Sequence, residues 1–143
     1  MIIERLKKED INLYKNLIDN AFDESNSLDF YNKYDENNSN YQIIVAKEDD
    51  KIIGSVTMYK LDLFTFDFQP AIEIFNVAVL KEYRGKKVAK SIFEYIIDFA
   101  KKNGYNSIQL TCLDNAYNAH KLYESVGMEK ASSVKYAMYF DND

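Results

Sequence analysis

Arg84-Gly85-Lys86-Lys87-Val88-Ala89-Lys90 is the stretch whose reading decides the fold of this chain. It follows the apolar run Ile72–Val79 and precedes an amphipathic one, Val88–Ala100. That order predicts a strand, a short loop and a helix. The first backbone N–H groups of a helix lack intrahelical partners, and the helix dipole favours negative charge there. A glycine-containing loop leading into such a helix start builds an anion site, suited to the pyrophosphate of a nucleotide-like cofactor. Residues 81–90 hold five cations (Lys81, Arg84, Lys86, Lys87, Lys90) against one acid, Glu82. Helix starts favour acids, so this cluster is unfavourable unless an anion joins it. The alternative is a plain, solvated basic helix start.

Composition bounds the rest. The 143 residues predict one domain spanning 1–143, and 47% hydrophobic residues are enough for a sizeable core. The single cysteine, Cys112, excludes an internal disulfide, and one histidine beside it is too few ligands for a typical zinc site. No apolar leader follows Met1, and no apolar run approaches ~18 residues, so a soluble, cytoplasmic chain without membrane contact is expected. The net charge of −5 argues against nucleic acid as the main partner. The acids concentrate early: residues 1–50 carry 12 against 6 bases. They form either a solvated face or a surface that draws a cationic substrate.

Periodicity places the elements. Ile2–Arg5 predicts a first strand, and Ile11, Tyr14, Leu17, Ile18 and Ala21 a helix. Leu28, Tyr31 and Tyr34 suggest a weak second helix. Tyr41–Ala46 and Ile52–Leu61 read as a hairpin around Glu48–Lys51. Leu63–Phe68 alternates with period two, which suggests extended chain before Pro70. Its phenylalanines, Phe64, Phe66 and Phe68, could serve as core, acceptor-site wall or the edge of a homodimer. After the basic loop, Val88, Ile92, Ile96 and Phe99 form a helical stripe that Gly104 ends. Ser107–Leu113 predicts a strand, Ala116–Val126 a helix and Val134–Phe140 a last strand. The order β-α-α-β-β-β-α-β-α-β is α+β, with a central mixed, mostly antiparallel sheet.

These residues resemble the GNAT superfamily of acyl-CoA-dependent N-acetyltransferases, most densely from Ile72 to Met128. The family's pyrophosphate pattern is Gln/Arg-x-x-Gly-x-Gly/Ala. Arg84-Gly85-Lys86-Lys87-Val88-Ala89 fits it at the arginine and the alanine, with Lys87 in place of the central glycine. A second pattern, Asn-x-x-Ala-x-x-x-Tyr-Glu-x-x-Gly-Phe, is similar to Asn115–Met128. The asparagine is one residue out of register, so Asn115 or Asn118 takes its place, and Met128 replaces phenylalanine. A P-loop fails, because Leu80 stands for its first glycine and Lys87 for its Ser or Thr.

The resemblance implies a GNAT-like sheet with helices on both faces, and direct acetyl transfer from acetyl-CoA to an amine on a small molecule or a protein, without a metal. It implies cofactor contacts from Val77, Ala78 and Val79 through a splayed strand. Pyrophosphate contacts would come from Arg84, Gly85, Lys86, Lys87, Val88, Ala89 and Lys90, with Asn115 or Asn118 beside them. Tyr123 is then the acid that meets the departing thiolate, and Glu73 the base. Alternation puts Glu73 on one face with Phe75, Val77 and Val79, and desolvation among apolar neighbours suits a base for an ammonium substrate. Lys87 could present its N–H to phosphate if its φ is negative. Cys112 is expected as a small buried side chain, and His120 at the surface. The alternative function is a non-catalytic acyl-CoA sensor or partner-binding module of the same fold.

Overall fold

The computed structural model describes residues 1–65 and 67–141. The elements run β1 (Ile2–Arg5), α1 (Ile11–Ala21), α2 (Leu28–Tyr31), β2 (Tyr41–Glu48), β3 (Lys51–Asp62), β4 (Pro70–Val79), α3 (Val88–Lys102), β5 (Ser107–Gln109) and α4 (Tyr117–Ser125). Short 3-10 turns precede α1 and follow β4. The strands form one sheet in chain order, antiparallel from β1 to β4 and parallel between β4 and β5.

β3 is buried without interruption from Ile52 to Met58, because both faces of the sheet are covered. Gly54 faces α3, where its missing side chain admits Val88 and Ile92. The neighbouring Ser55 and Thr57 face α1 and the phenol of Tyr14. α1 buries Ile11, Tyr14, Leu17 and Ile18, and α3 buries Val88, Ile92, Phe93, Ile96 and Ala100. These are the stripes that the helical period predicts. Full burial of a side chain such as Phe93 contributes about 2–3 kcal/mol.

The α+β class and helices on both faces stand, and three local expectations change. Among the described residues, 63–65 and 67–68 form no strand: β3 ends at Asp62, β4 begins at Pro70, and Asp67 and Phe68 take positive φ. Phe66, one of the three phenylalanines of that run, lies outside the described residues. The strand expected at Ser107–Leu113 pairs only as far as Gln109. The closing strand expected at Val134–Phe140 does not form: residues 129–141 have no regular structure, and every one is exposed. Pairing needs a partner edge as well as an alternating pattern, and the pattern alone is what the sequence displays.

Candidate active site

β4 and β5 pair over three rungs only, Ala71–Ser107, Ile72–Ile108 and Glu73–Gln109. β4 then continues alone to Val79, with its β5-facing edge unpaired beyond Glu73. The two strands part at Glu73, which therefore sits at the vertex of a V. The open edge beyond it carries Val77, Ala78 and Val79. Backbone groups alternate between the two edges of a strand, so those of these residues that turn away from β3 are free to pair with an extended ligand, as an added strand would.

A bulge changes what Glu73 faces. Thr57 opposes Phe75 and Ser55 opposes Ala78, so β4 inserts one extra residue against Val56. Asn76 sits there with φ +54, a conformation that asparagine tolerates better than most residues. The extra residue inverts the alternation beyond it. Glu73 shares its face with Phe75 and Ala78, and not with Val77 and Val79 as simple alternation gives. That face is the α1 side, where Tyr41, Tyr59 and Phe75 form a row. Tyr41 and Tyr59 ring centroids lie 5.7 Å apart, and Tyr59 and Phe75 meet edge to face at 5.4 Å. Tyr59 is also the rung partner of Glu73. Glu73 is half-buried and Phe75 exposed, so the row opens to solvent beside the carboxylate.

At the far end of β4 the chain turns into α3. Among the described residues, the backbone N–H groups of the six residues from Gly85 to Lys90 donate to no backbone carbonyl, and the first closed turn of α3 is Ser91 N–H to Lys87 O at 3.1 Å. Gly85 takes φ +79 and Lys87 φ +64. The φ of Lys87 is thus positive, not the negative value made the condition for presenting its N–H, and that N–H is open all the same. Lys87 holds the left-handed conformation that suits a glycine and strains a lysine. Six unpaired donors at a helix start, among exposed lysines, match the chemistry of a pyrophosphate.

Arg84 has a different position from its neighbours. Its N–H donates to Lys81 O at 3.3 Å, and its Nη2 donates to Ala21 O at 3.0 Å. A cation on the last carbonyl of α1 complements that helix's dipole. Arg84 thus ties the loop to α1, and the open backbone donors begin at Gly85. Two further ties act beside it: Lys81 N–H donates to Asn20 Oδ1 at 3.0 Å, and Lys81 Nζ pairs with Asp23. That pairing holds the Asp23 carboxyl below its usual range, and the Lys15 hydrogen bond does the same for Asp19. Two acids of the early acidic stretch are therefore committed within the protein.

α4 lies on α3, and Tyr123 stacks on the buried Phe93 at 5.5 Å. The Tyr123 phenol is half-buried and makes no hydrogen bond among the described residues. Burial pushes its pKa up, and nearby Cys112 adds to the rise, so the hydroxyl stays a proton donor. Asn115 and Asn118 are both exposed at the start of α4. Cys112 is exposed rather than buried, because β5 ends before it. His120 is half-buried, and its Nε2 lies 3.0 Å from Leu113 O and 3.1 Å from Asp114 O. A nitrogen that donates to carbonyls is not a base for the Cys112 thiol, 3.9 Å away.

Sequence patterns did not reveal the polar trio under the bulge. Tyr14 is buried against Ser55 and Thr57, whose buried hydroxyls lack a well-formed hydrogen bond among the described residues. Three hydroxyl residues inside otherwise apolar stripes were the only signal. The aromatic row was equally hidden, since its members come from separate strands.

A V-shaped strand pair that ends in an anion-ready helix start is the feature to set beside known proteins. Residues 10–128 match the model of the Acetyltransferase (GNAT) family, and the chain belongs to that family. It is similar to human N-acetyltransferase 8B, 29% identical over 60% of this chain and 37% of that protein. It is also similar to N-acetylaspartate synthetase of Xenopus tropicalis, 37% identical over 46% of this chain and 24% of that one. The chain thus spans well under half the length of these curated relatives. Among solved structures, a ribosomal-protein-alanine N-acetyltransferase from Brucella melitensis biovar Abortus 2308 superposes with TM-score 0.82 at 21% identity, covering 98% of this chain and all of that one. An aminoglycoside acetyltransferase from an uncultured soil metagenomic sample superposes with TM-score 0.83 at 20% identity, over 99% and 96% of the two chains. These likenesses establish the fold. No helix among the described residues is long and apolar enough to cross a membrane.

Proposed function

We propose that the protein is an N-acetyltransferase that moves an acetyl group from acetyl-CoA directly to a primary amine. The observation that carries this reading is the β4–β5 splay running into the six open N–H groups of Gly85–Lys90. Together they offer one continuous groove for an extended, pyrophosphate-bearing thioester. The pantetheine arm lies along Val77–Val79, the pyrophosphate on the start of α3, and Asn115 or Asn118 flanks the carrier.

The chemistry follows from what borders the groove. Glu73 takes a proton from the ammonium, directly or through water. The amine nitrogen bonds to the thioester carbonyl carbon, and a backbone N–H near Val77 stabilises the oxyanion. The C–S bond then breaks, and the sulfur meets the Tyr123 hydroxyl. Phenol and thiol have reference pKa values of ~10 and ~8.5, so hydrogen bonding to the thiolate contributes more than full proton transfer.

The acceptor lies on the α1 face, because Glu73 points there. The open row of Tyr41, Tyr59 and Phe75 beside the carboxylate supports a cationic amine carried on a flat or aliphatic body. A polyamine, a lysine side chain and an aminoglycoside all meet that description. The exposed apolar C-terminal segment supports a homodimer.

The test is release of free thiol from acetyl-CoA with a panel of amines, beside calorimetry of acetyl-CoA alone. Thiol release with one amine class supports the transferase. Binding without release from any amine favours the acyl-CoA sensor, whose one structural support is the strained Lys87 in the loop. Absence of binding removes both.

A further inference from the structure

The sheet face around Glu73 carries more than the proposed chemistry uses. α1 covers this face at Ser55 and Thr57, where Tyr14 packs, and both are buried. Beyond them the cover ends. Tyr59, Leu61 and Phe75 rise to 39%, 41% and 47% exposure. Tyr59 is the rung partner of Glu73, Leu61 that of Ala71, and alternation puts all of them on one face. Three large apolar side chains thus stand open to water around one half-buried carboxylate. A patch of this kind marks a ligand surface.

Its charge is as informative as its rings. Of all residues in the chain, 29% are charged. On this uncovered part of the face, Glu73 is the one charged side chain among the described residues. β2 contributes Tyr41, and β5 contributes Ser107 and Gln109, whose Nε2 donates to Ser107 Oγ at 3.1 Å. The nearest charges of β3, Lys60 and Asp62, alternate to the opposite face and lie 3.9 Å from each other. The acids of α1 and of the turn that ends it are engaged elsewhere: Asp19 with Lys15, Asp23 with Lys81 and Glu24 with Asn26. The face therefore provides for one cation and for no anion.

That provision separates classes of amine. A polyamine or an aminoglycoside lays a second ammonium on apolar surface, where no carboxylate receives it. Cation–π attraction to the rings offsets part of that cost, since it acts on a partly hydrated ion. An α-amino acid brings its carboxylate beside Glu73 with no lysine or arginine to pair it. The rings decide the body of the acceptor. Tyr59 and Phe75 stand at 89° with centroids 5.4 Å apart, and Tyr41 is tilted by 45° on the far side of Tyr59. A corner between perpendicular rings takes a third ring stacked on one and edge-on to the other. An aliphatic stem gains nothing from that geometry.

We propose that the acceptor is an arylalkylamine: a primary amine of single charge, joined by a short alkyl spacer to an aromatic ring. The ammonium meets Glu73, and the ring packs in the corner of Tyr59 and Phe75 against Leu61. Opposed residues of antiparallel strands hold their Cβ atoms ~5 Å apart, so a spacer of two or three bonds spans the distance. The ammonium gives one proton to Glu73, its nitrogen bonds to the acetyl carbon, the C–S bond breaks and CoA leaves as the thiolate. The other product is the N-arylalkyl acetamide. The proposal rests on the transferase reading above and names the acceptor of that same site.

Thiol release from acetyl-CoA by the full chain tests it, with 2-phenylethylamine, hexylamine, spermidine, an aminoglycoside, a lysine peptide and phenylalanine as acceptors. The expected kcat/KM is highest for 2-phenylethylamine, by ~10-fold or more over spermidine and phenylalanine. A higher kcat/KM for any other acceptor overturns the proposal and keeps the transferase. Leu61 is partly exposed, so charges are tolerated there. Leu61→Glu adds a second carboxylate and should cut the preference over spermidine by ~10-fold, and Leu61→Lys adds a cation and should do the same for phenylalanine. Phe75→Leu keeps apolar bulk without the ring, so it should raise the KM for 2-phenylethylamine several-fold at similar kcat and leave hexylamine unchanged. Unaltered preferences in all three variants place the acceptor off this face and overturn the proposal. If no amine releases thiol, calorimetry of 2-phenylethylamine on the CoA-loaded protein decides separately. Binding that Phe75→Leu weakens supports the aryl site while the transferase falls, and absence of binding overturns both.

Discussion

A Cβ on Gly54 would stand 2.6 Å from Val88 Cγ1, so the bare backbone of β3 is what lets the first turn of α3 reach the sheet. This contact sets the height of the open N–H groups over the groove. A methyl group there also meets Ala78 O at 3.3 Å and Ile92 Cδ1 at 3.3 Å. Val88 is β-branched and stiff, so the helix start must move. Gly54→Ala should destabilise the protein by about 1–3 kcal/mol and raise the KM for acetyl-CoA more than it lowers kcat. Urea unfolding and steady-state kinetics check this. Unchanged values in both would mean that α3 is positioned by contacts elsewhere.

Lys87 carries left-handed strain of roughly 1–2 kcal/mol immediately before α3. Lys87→Gly should stabilise the protein by about 1 kcal/mol, while Lys87→Ala keeps the strain and shows no such gain. The lost cation is exposed, so acetyl-CoA affinity should fall by less than about fivefold. Denaturant midpoints and calorimetry give both numbers. Equal stability of the glycine and alanine variants would remove strain as the explanation.

The elements that were legible in the sequence are the local ones. The stripes of α1 and α3 follow from a 3.6-residue period, and the loop from one glycine among cations, so neither needs knowledge of a distant partner. Asn76 is different. One extra residue in β4 reverses which side chains face α1, and that depends on how Ser55 and Thr57 line up across the strand pair. Alternation alone therefore grouped Glu73 with Val77 and Val79. Cys112 went astray for a related reason: an apolar run reads as a buried strand, but β5 loses its partner at Gln109. The tie of Arg84 to Ala21 O spans 63 residues, so the loop's own sequence does not show it.

Tyr123 and Glu73 stand on either side of the proposed reaction. Tyr123→Phe keeps the ring on Phe93 and removes only the hydroxyl, so the KM for acetyl-CoA should change little while kcat falls ~10²-fold. Glu73→Gln should lower kcat by a similar factor. The raised pKa of Tyr123 adds a pH test. The wild-type rate should show no loss from tyrosine ionisation below pH ~10, the ordinary phenol value. Near-normal turnover in both variants, on an amine the wild type acetylates, would remove these roles.

Tyr14 makes stability fall at alkaline pH. Burial pushes its phenol up to about 12, against ~10 in the unfolded chain. The folded state therefore holds this proton more tightly. The resulting stabilisation is fully present below pH ~10 and is lost as pH rises through about 12. Two units of pKa correspond to about 3 kcal/mol. Tyr31, Tyr34, Tyr105 and Tyr123 are raised in the same direction, so wild-type stability should decline steeply above pH 10. Tyr14→Phe deletes the largest share of that decline. It also leaves Ser55 and Thr57 without the phenol they face, so its stability at pH 8 should be lower. Urea unfolding at pH 8, 10 and 11.5 should give a flatter profile for the variant, converging on wild type at the highest pH. Parallel profiles would show that the Tyr14 phenol ionises no later in the folded protein than in the unfolded one.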